Sequence, residues 1–264
     1  MAAPAVSVLM GVRDGAAWIS RAIASVLGQT LTDLELVVVD DGSTDATAAL
    51  LSGVRDPRLV IERQAPAGLT VALNRALDRA RAPLIARLDA DDVALPARLE
   101  RQRAFLQSHP EVGLLGTAAR VVDESGRDVT SIQPPEHDHA IRRALIRRNP
   151  FVHSSVMLRR ALVSAAGGYD VSFGVAQDYD LWLRLSAVTR MANLAEPLVI
   201  RHLVSGRVTA ARDDARLRAE ARARWRAVRA GAYPPWSAFF ALRPLLALAL
   251  PGPLRGRLRH ALGR

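Results

Sequence analysis

Carboxylates are concentrated at one point of the sequence, where a short apolar run ends in Asp89-Ala-Asp-Asp92. Asp is a poor strand residue and like charges repel, so a cluster of this kind after a strand needs a stabilising partner. A divalent cation is the simplest partner, because Mg²⁺ typically binds one or two carboxylates together with substrate phosphates. The cluster therefore predicts a metal that holds a nucleotide diphosphate. The alternative is an acidic turn that caps the next helix.

A second pair of carboxylates, Asp40 and Asp41, follows another apolar run. The elements that must position both clusters are predicted from hydrophobic runs and periodicity. Strands are predicted over 6–10, 35–40, 59–62 and 84–88, and helices over 16–29, from Ser43 or Thr44 through Leu51, over 69–81 and from Pro96 to about Ser108. This alternation predicts right-handed βαβ units and a mainly parallel sheet. Ligands of such sheets bind at the carboxyl ends of the strands, where both clusters lie.

The pattern is less regular after residue 116. A hairpin is predicted over 120–129, a short basic helix over 140–148, strand character after Asn149, and a helix from Gln177 with Leu181, Leu185 and Val188 facing inward. Asp178 falls in the first turn of that last helix, where the helix dipole favours a carboxylate, so it is either a cap or a functional group. An Arg-rich helix over 210–229 is followed by an apolar stretch over 238–250 that Arg243-Pro244 interrupts.

The composition narrows the class of protein. With no cysteine, disulfides and cysteine-based metal sites are excluded, and every basic residue behind the net charge of +10 is Arg. That charge favours anionic partners such as phosphates, nucleic acid or an acidic membrane surface. There is neither a signal peptide nor an apolar run of about 18 residues, so we expect a cytoplasmic protein.

Four motifs resemble those of family 2 glycosyltransferases and occur in the family's order. They are Val6-Ser-Val-Leu-Met10, Val38-Val-Asp-Asp-Gly-Ser-Thr-Asp45, Leu88-Asp-Ala-Asp-Asp92 and Gln177-Asp-Tyr-Asp-Leu-Trp182. The resemblance implies an α/β protein of the GT-A fold, with a Rossmann-like, mainly parallel sheet flanked by helices. It further implies a glycosyltransferase domain over 1–206, divided into a nucleotide-sugar-binding half (1–116) and an acceptor-binding half (117–206), with a basic helical extension over 207–264.

The resemblance also implies roles for individual residues. The nucleotide sugar would contact Met10, Gly11, Asp40, Asp41, Asp91 and His153. Asp92, with Asp91, would bind Mg²⁺ or Mn²⁺, and His202 is a further candidate ligand. Asp178 matches the catalytic base, which would take a proton from an acceptor hydroxyl in a direct displacement with inversion. Gln177 stands where a Glu usually precedes the base, and Gly11-Val-Arg-Asp14 replaces the commoner Pro-Val-Tyr-Asn.

A non-processive enzyme is expected, because the Gln-x-x-Arg-Trp motif of processive synthases is missing. It would move one sugar from a UDP-, dTDP- or GDP-linked donor to a glycan or lipid-linked acceptor in cell-envelope or polysaccharide biosynthesis. The basic C-terminal region suggests peripheral contact with the inner face of the cell membrane. A metal-dependent nucleotidyltransferase and an Arg-rich nucleic-acid-binding protein are the alternatives. A calcium loop at Asp89–Glu100 lacks its central Gly, and a dinucleotide-binding fingerprint is absent after the first strand.

Overall fold

The computed structural model describes residues 3–203 and 213–248. Within these ranges the strands are β1 (Val6–Val12), β2 (Leu34–Asp40), β3 (Leu59–Arg63), β4 (Leu84–Arg87), β5 (Val93–Ala94), β6 (Val112–Val122), β7 (Asp128–Ile132), β8 (Met157–Arg159) and β9 (Arg190–His202). The α-helices are α1 (Ile19–Leu27), α2 (Thr47–Gly53), α3 (Leu69–Arg79), α4 (Arg98–Ser108), α5 (Asp138–Leu145), α6 (Arg160–Ala165), α7 (Gln177–Leu185), α8 (Asp213–Arg229) and α9 (Phe239–Leu248).

All nine strands belong to one sheet, in the order β3-β2-β1-β4-β8-β6-β9-β5, with β7 paired to β6. The first four strands of that order are parallel, as the alternation of strands and helices predicts. The remaining part is mixed, because β8 runs antiparallel to both β4 and β6 whereas β6 and β9 are parallel. Gly116 lies inside β6, so the sheet continues across the boundary predicted between the two halves.

Helices cover both faces of the sheet, which explains why its central strands β1, β2 and β4 are mainly apolar. Successive residues of a strand point to opposite faces. In β1, Leu9 joins the core cluster that contains α3, α5 and α7, whereas Val8 and Met10 join the one that contains α1 and α4. Every residue of β1, β2 and β4 is buried, as expected for a parallel sheet covered on both sides.

Several local predictions differ from the structure. Neither Ser43 nor Thr44 caps α2; its N-cap is Ala46, and Asp45 accepts a hydrogen bond from the N–H of Thr47 instead. Val188 is not inward but exposed, since α7 ends at Leu185. Pro244 lies inside α9, so the helix continues across the Arg243-Pro244 pair that interrupts the apolar stretch. The 13-residue strand β9 was not predicted, because its polar and apolar residues do not alternate regularly.

The Arg-rich helix α8 packs on the domain rather than standing free in solvent. The guanidinium of Arg224 is buried and donates to the Tyr179 hydroxyl (2.8 Å), to Glu220 (2.9 Å) and to a main-chain oxygen. Arg226 pairs with Asp170 at 2.6 Å, and Arg222 lies over the Phe173 ring. No helix among residues 3–203 and 213–248 has both the length and the hydropathy to cross a bilayer.

Candidate functional site

The Asp89–Asp92 turn lies at the carboxyl edge of the parallel strands. The registers Val12↔Asp40 and Leu9↔Arg87 place the ends of β1, β2 and β4 side by side, so the predicted meeting of the two acidic clusters at one edge is observed. Asp89, Asp91 and Asp92 each offer a carboxylate oxygen, and these oxygens lie within 4.8 Å of one another. Asp89 and Asp91 are half-buried, whereas Asp92 is fully buried.

A single hydroxyl joins two of these carboxylates. Ser154 Oγ lies 2.7 Å from Asp89 Oδ2 and 2.5 Å from Asp92 Oδ2, and its one proton cannot satisfy both acceptors at the same time. Asp92 also accepts a hydrogen bond from the main-chain N–H of His202 at 3.1 Å. His202 therefore reaches the acidic turn through its backbone, and β9 is tied to the end of β4.

Two buried arginines lie beneath the acidic turn. Arg87 donates to Asp89 through Nη2, and Arg98 donates to the main-chain oxygen of Arg87 at 2.7 Å. Burial, together with the nearby guanidinium of Arg87, lowers the pKa of Arg98 to about 9, against the opposing effect of Asp92. These cations offset part of the negative charge of three neighbouring carboxylates and fix the turn that carries them.

These residues fit a divalent metal ion. Three carboxylate oxygens that converge within 4.8 Å form the hard, all-oxygen donor set that suits Mg²⁺ or Mn²⁺. A cation there would also relieve the repulsion between Asp89 and Asp92, which lie close enough to contact the same Ser154 hydroxyl.

Asp178 lies in the first turn of α7, as predicted, and is half-buried. Its Oδ2 accepts a hydrogen bond from Asn149 Nδ2 at 2.7 Å. The residue before the helix, Ala176, has a φ of 57°, a left-handed conformation that is unfavourable for a residue with a Cβ atom. Strain of this kind is retained where the surrounding structure fixes it, and it is common at functional sites.

Asp41 organises the loop between β3 and α3. Its carboxylate accepts hydrogen bonds from Gln64 Nε2 (2.7 Å) and from the main-chain N–H groups of Ala67 and Gly68 (both 2.8 Å). Gly68 has a φ of 94°, which a residue without a Cβ atom adopts readily. Asp41 therefore shapes this loop, and its carboxylate also lines the cleft.

His153 occupies an aromatic environment at the bottom of the site. Its Nε2 lies 3.0 Å from the Tyr169 hydroxyl, and its ring makes edge contacts with Tyr169 and Trp182. Burial, with the nearby guanidinium of Arg87, lowers the pKa of His153 to about 4, and burial raises that of Tyr169. His153 is therefore neutral at pH 7 and acts there as a polar contact rather than as a cation.

An open cleft of about 1030 Å³ brings most of the predicted residues together. The predicted residues that line it are Gly11, Asp41, Asp91, His153 and Asp178. Four predicted residues do not line it: Met10, Asp40, Asp92 and His202. Of these, Asp40 accepts a hydrogen bond from the Ser43 N–H and pairs with Arg63, and Met10 is part of the core.

Sequence reasoning missed several polar residues of the site. Asn149 and Ser154 hold the two groups of carboxylates, and Arg13, Arg148 and Arg201 line the cleft. Asn149 and Ser154 flank His153 in Asn149-Pro-Phe-Val-His-Ser154, so the segment already singled out for its histidine carried the signal. Arg216 also lines the cleft, together with Glu220, with which it forms an ion pair.

Comparison with known proteins shows which family the chain resembles. The profile described as "Glycosyl transferase family 2" matches residues 7–165. The O-antigen biosynthesis glycosyltransferase WbnJ of Escherichia coli is 32% identical over 183 residues, which cover 68% of this chain and 71% of that protein.

Two solved structures share the fold. Residues 1–349 of S. aureus TarS in complex with UDP-GlcNAc align with a TM-score of 0.68 at 21% identity, covering 83% of this chain and 66% of that one. The mannosyltransferase PcManGT of Pyrobaculum calidifontis, in complex with GDP-Man and Mn²⁺, aligns with a TM-score of 0.63 at 21% identity, covering 100% and 81%. The mixed sheet flanked by helices is thus the GT-A fold, and the chain belongs to glycosyl transferase family 2 and is a glycosyltransferase.

Proposed function

We propose that the enzyme transfers a single sugar from a nucleotide-diphosphate sugar to an acceptor hydroxyl with inversion at the anomeric carbon. The observation that carries the proposal is one cleft lined both by Asp89 and Asp91 and by Asp178. The first group suits a metal-bound diphosphate and the second suits a base. In this proposal residues 1–116 bind mainly the donor, residues 117–206 mainly the acceptor, and 207–264 form the extension.

In the proposed reaction Asp178 accepts the proton of the acceptor hydroxyl. The acceptor oxygen attacks the anomeric carbon while the bond from that carbon to the phosphate oxygen breaks, and the nucleoside diphosphate leaves with the bonding electrons. Asn149 holds Asp178 Oδ2, which leaves Oδ1 for the acceptor. Asp89, Asp91 and Asp92 would hold Mg²⁺ or Mn²⁺, which as a Lewis acid would stabilise the charge of the departing diphosphate.

The nature of the donor and acceptor is also part of the proposal. TarS with UDP-GlcNAc and PcManGT with GDP-Man and Mn²⁺ are nucleotide-sugar complexes on the same fold, which supports a UDP-, dTDP- or GDP-linked donor. WbnJ is named for O-antigen biosynthesis, which supports a glycan or lipid-linked acceptor in cell-envelope polysaccharide synthesis. An acceptor of this kind would place the enzyme at the inner face of the cell membrane as a peripheral protein.

A thermal-shift panel of nucleotide sugars with and without Mn²⁺ tests the proposal. A donor that binds the native state raises the melting temperature, and we expect this rise to require the metal. The Asp178→Asn variant should keep the shift and lose transfer by at least about 100-fold, because only the base is removed. Release of pyrophosphate instead of a nucleoside diphosphate would indicate nucleotidyl transfer, and a shift that is independent of metal would contradict the metal site.

A further inference from the structure

An apolar stripe lies exposed near the end of the described chain. It consists of Trp236, Phe239, Leu242 and Leu245, whose exposed fractions are 70%, 60%, 50% and 45%. Trp236 belongs to the 3₁₀ turn Pro235–Ala238, which leads directly into α9. The other three residues follow at intervals of three along that helix, so the stripe forms a continuous surface.

The opposite side of α9 is the one that packs on the protein. Ala241 and Pro244 are buried, Phe240 is half-buried, and the Arg147 guanidinium lies over its ring at 5.0 Å. A helix on the surface of a globular protein normally turns its large apolar side chains inward. Among the side chains of α9 that the structure describes, three large apolar ones, Phe239, Leu242 and Leu245, instead face outward. The stripe is therefore not explained by packing of the domain itself.

Exposed arginines are present on both α8 and α9. On α8 the side chains of Arg218, Arg222, Trp225 and Arg229 are all exposed, and their spacing of i, i+4, i+7 and i+11 puts them on one face. Arg243 is exposed on α9 beside the stripe. Within the described parts of the chain, Arg218, Arg229 and Arg243 form no ion pair, whereas Arg216, Arg224 and Arg226 each pair with a carboxylate.

We propose that the outer faces of α8 and α9 bind the surface of an anionic phospholipid bilayer. In this arrangement the apolar stripe enters the boundary between headgroups and acyl chains, where Trp and other aromatic side chains are favoured. Arg218, Arg229 and Arg243 contact the negatively charged headgroups. The proposal deepens the proposed function, since an acceptor held in a membrane would give this surface its use.

The charge of each candidate partner distinguishes a bilayer from the other partners that could cover the stripe. A second copy of the chain would bring the same unpaired arginines against one another in a symmetric contact, and each copy has a net charge of +10. Residues 249–264 contain four Arg and no Asp or Glu, so this segment would not neutralise the surface either. An anionic bilayer supplies both the apolar layer and the opposite charge.

Vesicle binding of the full-length protein tests the proposal without any need for turnover. The probes are vesicles of pure phosphatidylcholine and vesicles that also contain about 30% phosphatidylglycerol. The phosphatidylglycerol gives the second kind of vesicle a negative surface potential. We expect co-sedimentation with the anionic vesicles alone and weaker binding as salt rises. Failure of glycosyl transfer would leave this result unchanged, so the two proposals can fail separately.

Variants test whether the vesicles bind through the outer faces of α8 and α9. The change Phe239→Ser with Leu242→Ser should weaken binding to anionic vesicles by about tenfold or more, because buried apolar area is lost. The triple change R218Q/R229Q/R243Q should weaken it by about a hundredfold, since each basic residue near an anionic surface contributes to attraction. The matched control R101Q/R143Q/R190Q removes the same charge from exposed arginines elsewhere and should bind as the unchanged protein does.

Four results would overturn the proposal. Equal losses in the two triple variants would mean that net charge alone drives binding. Weak acrylamide quenching of the fluorescence that Trp236→Phe removes would mean that the stripe is already covered in solution. A dimer in analytical ultracentrifugation that Phe239→Ser with Leu242→Ser converts to monomer would assign the stripe to a second copy. Failure of the unchanged protein to bind anionic vesicles would refute the proposal directly.

Discussion

The side-chain amide of Asn149 donates a hydrogen bond to the carboxylate of Asp178 across 2.7 Å, although the two residues are 29 positions apart. Asn149 is itself fixed, because its Oδ1 accepts a hydrogen bond from the N–H of Phe151 at 3.1 Å. The proposed base is thus oriented by a side chain from the segment that precedes His153. Orientation of this kind determines how well a general base reaches the proton that it removes.

Replacement of Asn149 should lower the rate of the chemical step. We expect Asn149→Ala to reduce kcat by roughly 10- to 100-fold, since a hydrogen bond to a charged group is lost, while the KM for the donor stays nearly unchanged. Asn149→Asp should be worse, because it places a second carboxylate beside Asp178. Gln133→Ala is the control, an amide that lines the same cleft but does not contact Asp178. An increase in donor KM without a fall in kcat would disprove the positioning role.

Ser154 should control metal affinity. Its hydroxyl contacts both Asp89 and Asp92, and groups that hold metal ligands typically change metal affinity by about 10- to 100-fold when they are removed. We therefore expect Ser154→Ala to weaken Mn²⁺ binding to that extent in isothermal titration calorimetry. Ser155→Ala is the matched control, because that buried hydroxyl contacts main-chain oxygens of Val152 and Thr117. Identical Mn²⁺ affinities in the two variants would exclude the role.

Protonation of His153 should lower the free energy of unfolding in mild acid. Burial and the nearby Arg87 lower the pKa of His153 in the folded protein to about 4, whereas its pKa in the unfolded chain is near 6.5. Between these two pH values the unfolded chain therefore binds more protons than the folded protein. The free energy of unfolding should therefore fall as pH decreases through this window, with a contribution of roughly 2 to 3 kcal/mol from this residue. Urea unfolding between pH 7 and 4 measures it.

The variant His153→Phe isolates that contribution from the carboxylates that also titrate in acid. It should be less stable than the unchanged protein at pH 7, where the contact with Tyr169 is lost, but its stability should depend less steeply on pH. The same slope in both proteins would mean that His153 is protonated equally in the folded and unfolded states.

Arg224 should anchor α8 to the domain and affect the site through Tyr179, the neighbour of Asp178. Its removal in Arg224→Ala takes one buried guanidinium away from the Tyr179 hydroxyl and from Glu220, which keeps its ion pair with Arg216. Loss of hydrogen bonds between charged or polar groups costs about 1 to 3 kcal/mol, which chemical denaturation would detect. Arg218→Ala, on the exposed face of the same helix, should change the free energy of unfolding by less than about 0.5 kcal/mol. Equal stabilities of the two variants would contradict the anchoring role.

The first half of the fold follows from local pattern. Apolar runs that end in Asp, separated by amphipathic helices, allow one arrangement, a parallel sheet with its acidic turns at one edge, and β1 to β4 have that arrangement. The second half could not be predicted in the same way. There β8 is only three residues long and β9 lacks alternation, so their pairing depends on contacts with distant strands.

The sequence by itself determined which residues can do chemistry: the carboxylates of Asp89–Asp92, Asp41 and Asp178 stand in motifs whose spacing is local. Only the tertiary structure decided how they are held. Asn149 beside Asp178, Ser154 between Asp89 and Asp92, and Arg224 beneath Tyr179 are contacts over 29 to 65 residues. Hydrogen bonds need defined distances and angles, and periodicity carries no information about which distant side chains the folded sheet brings into range.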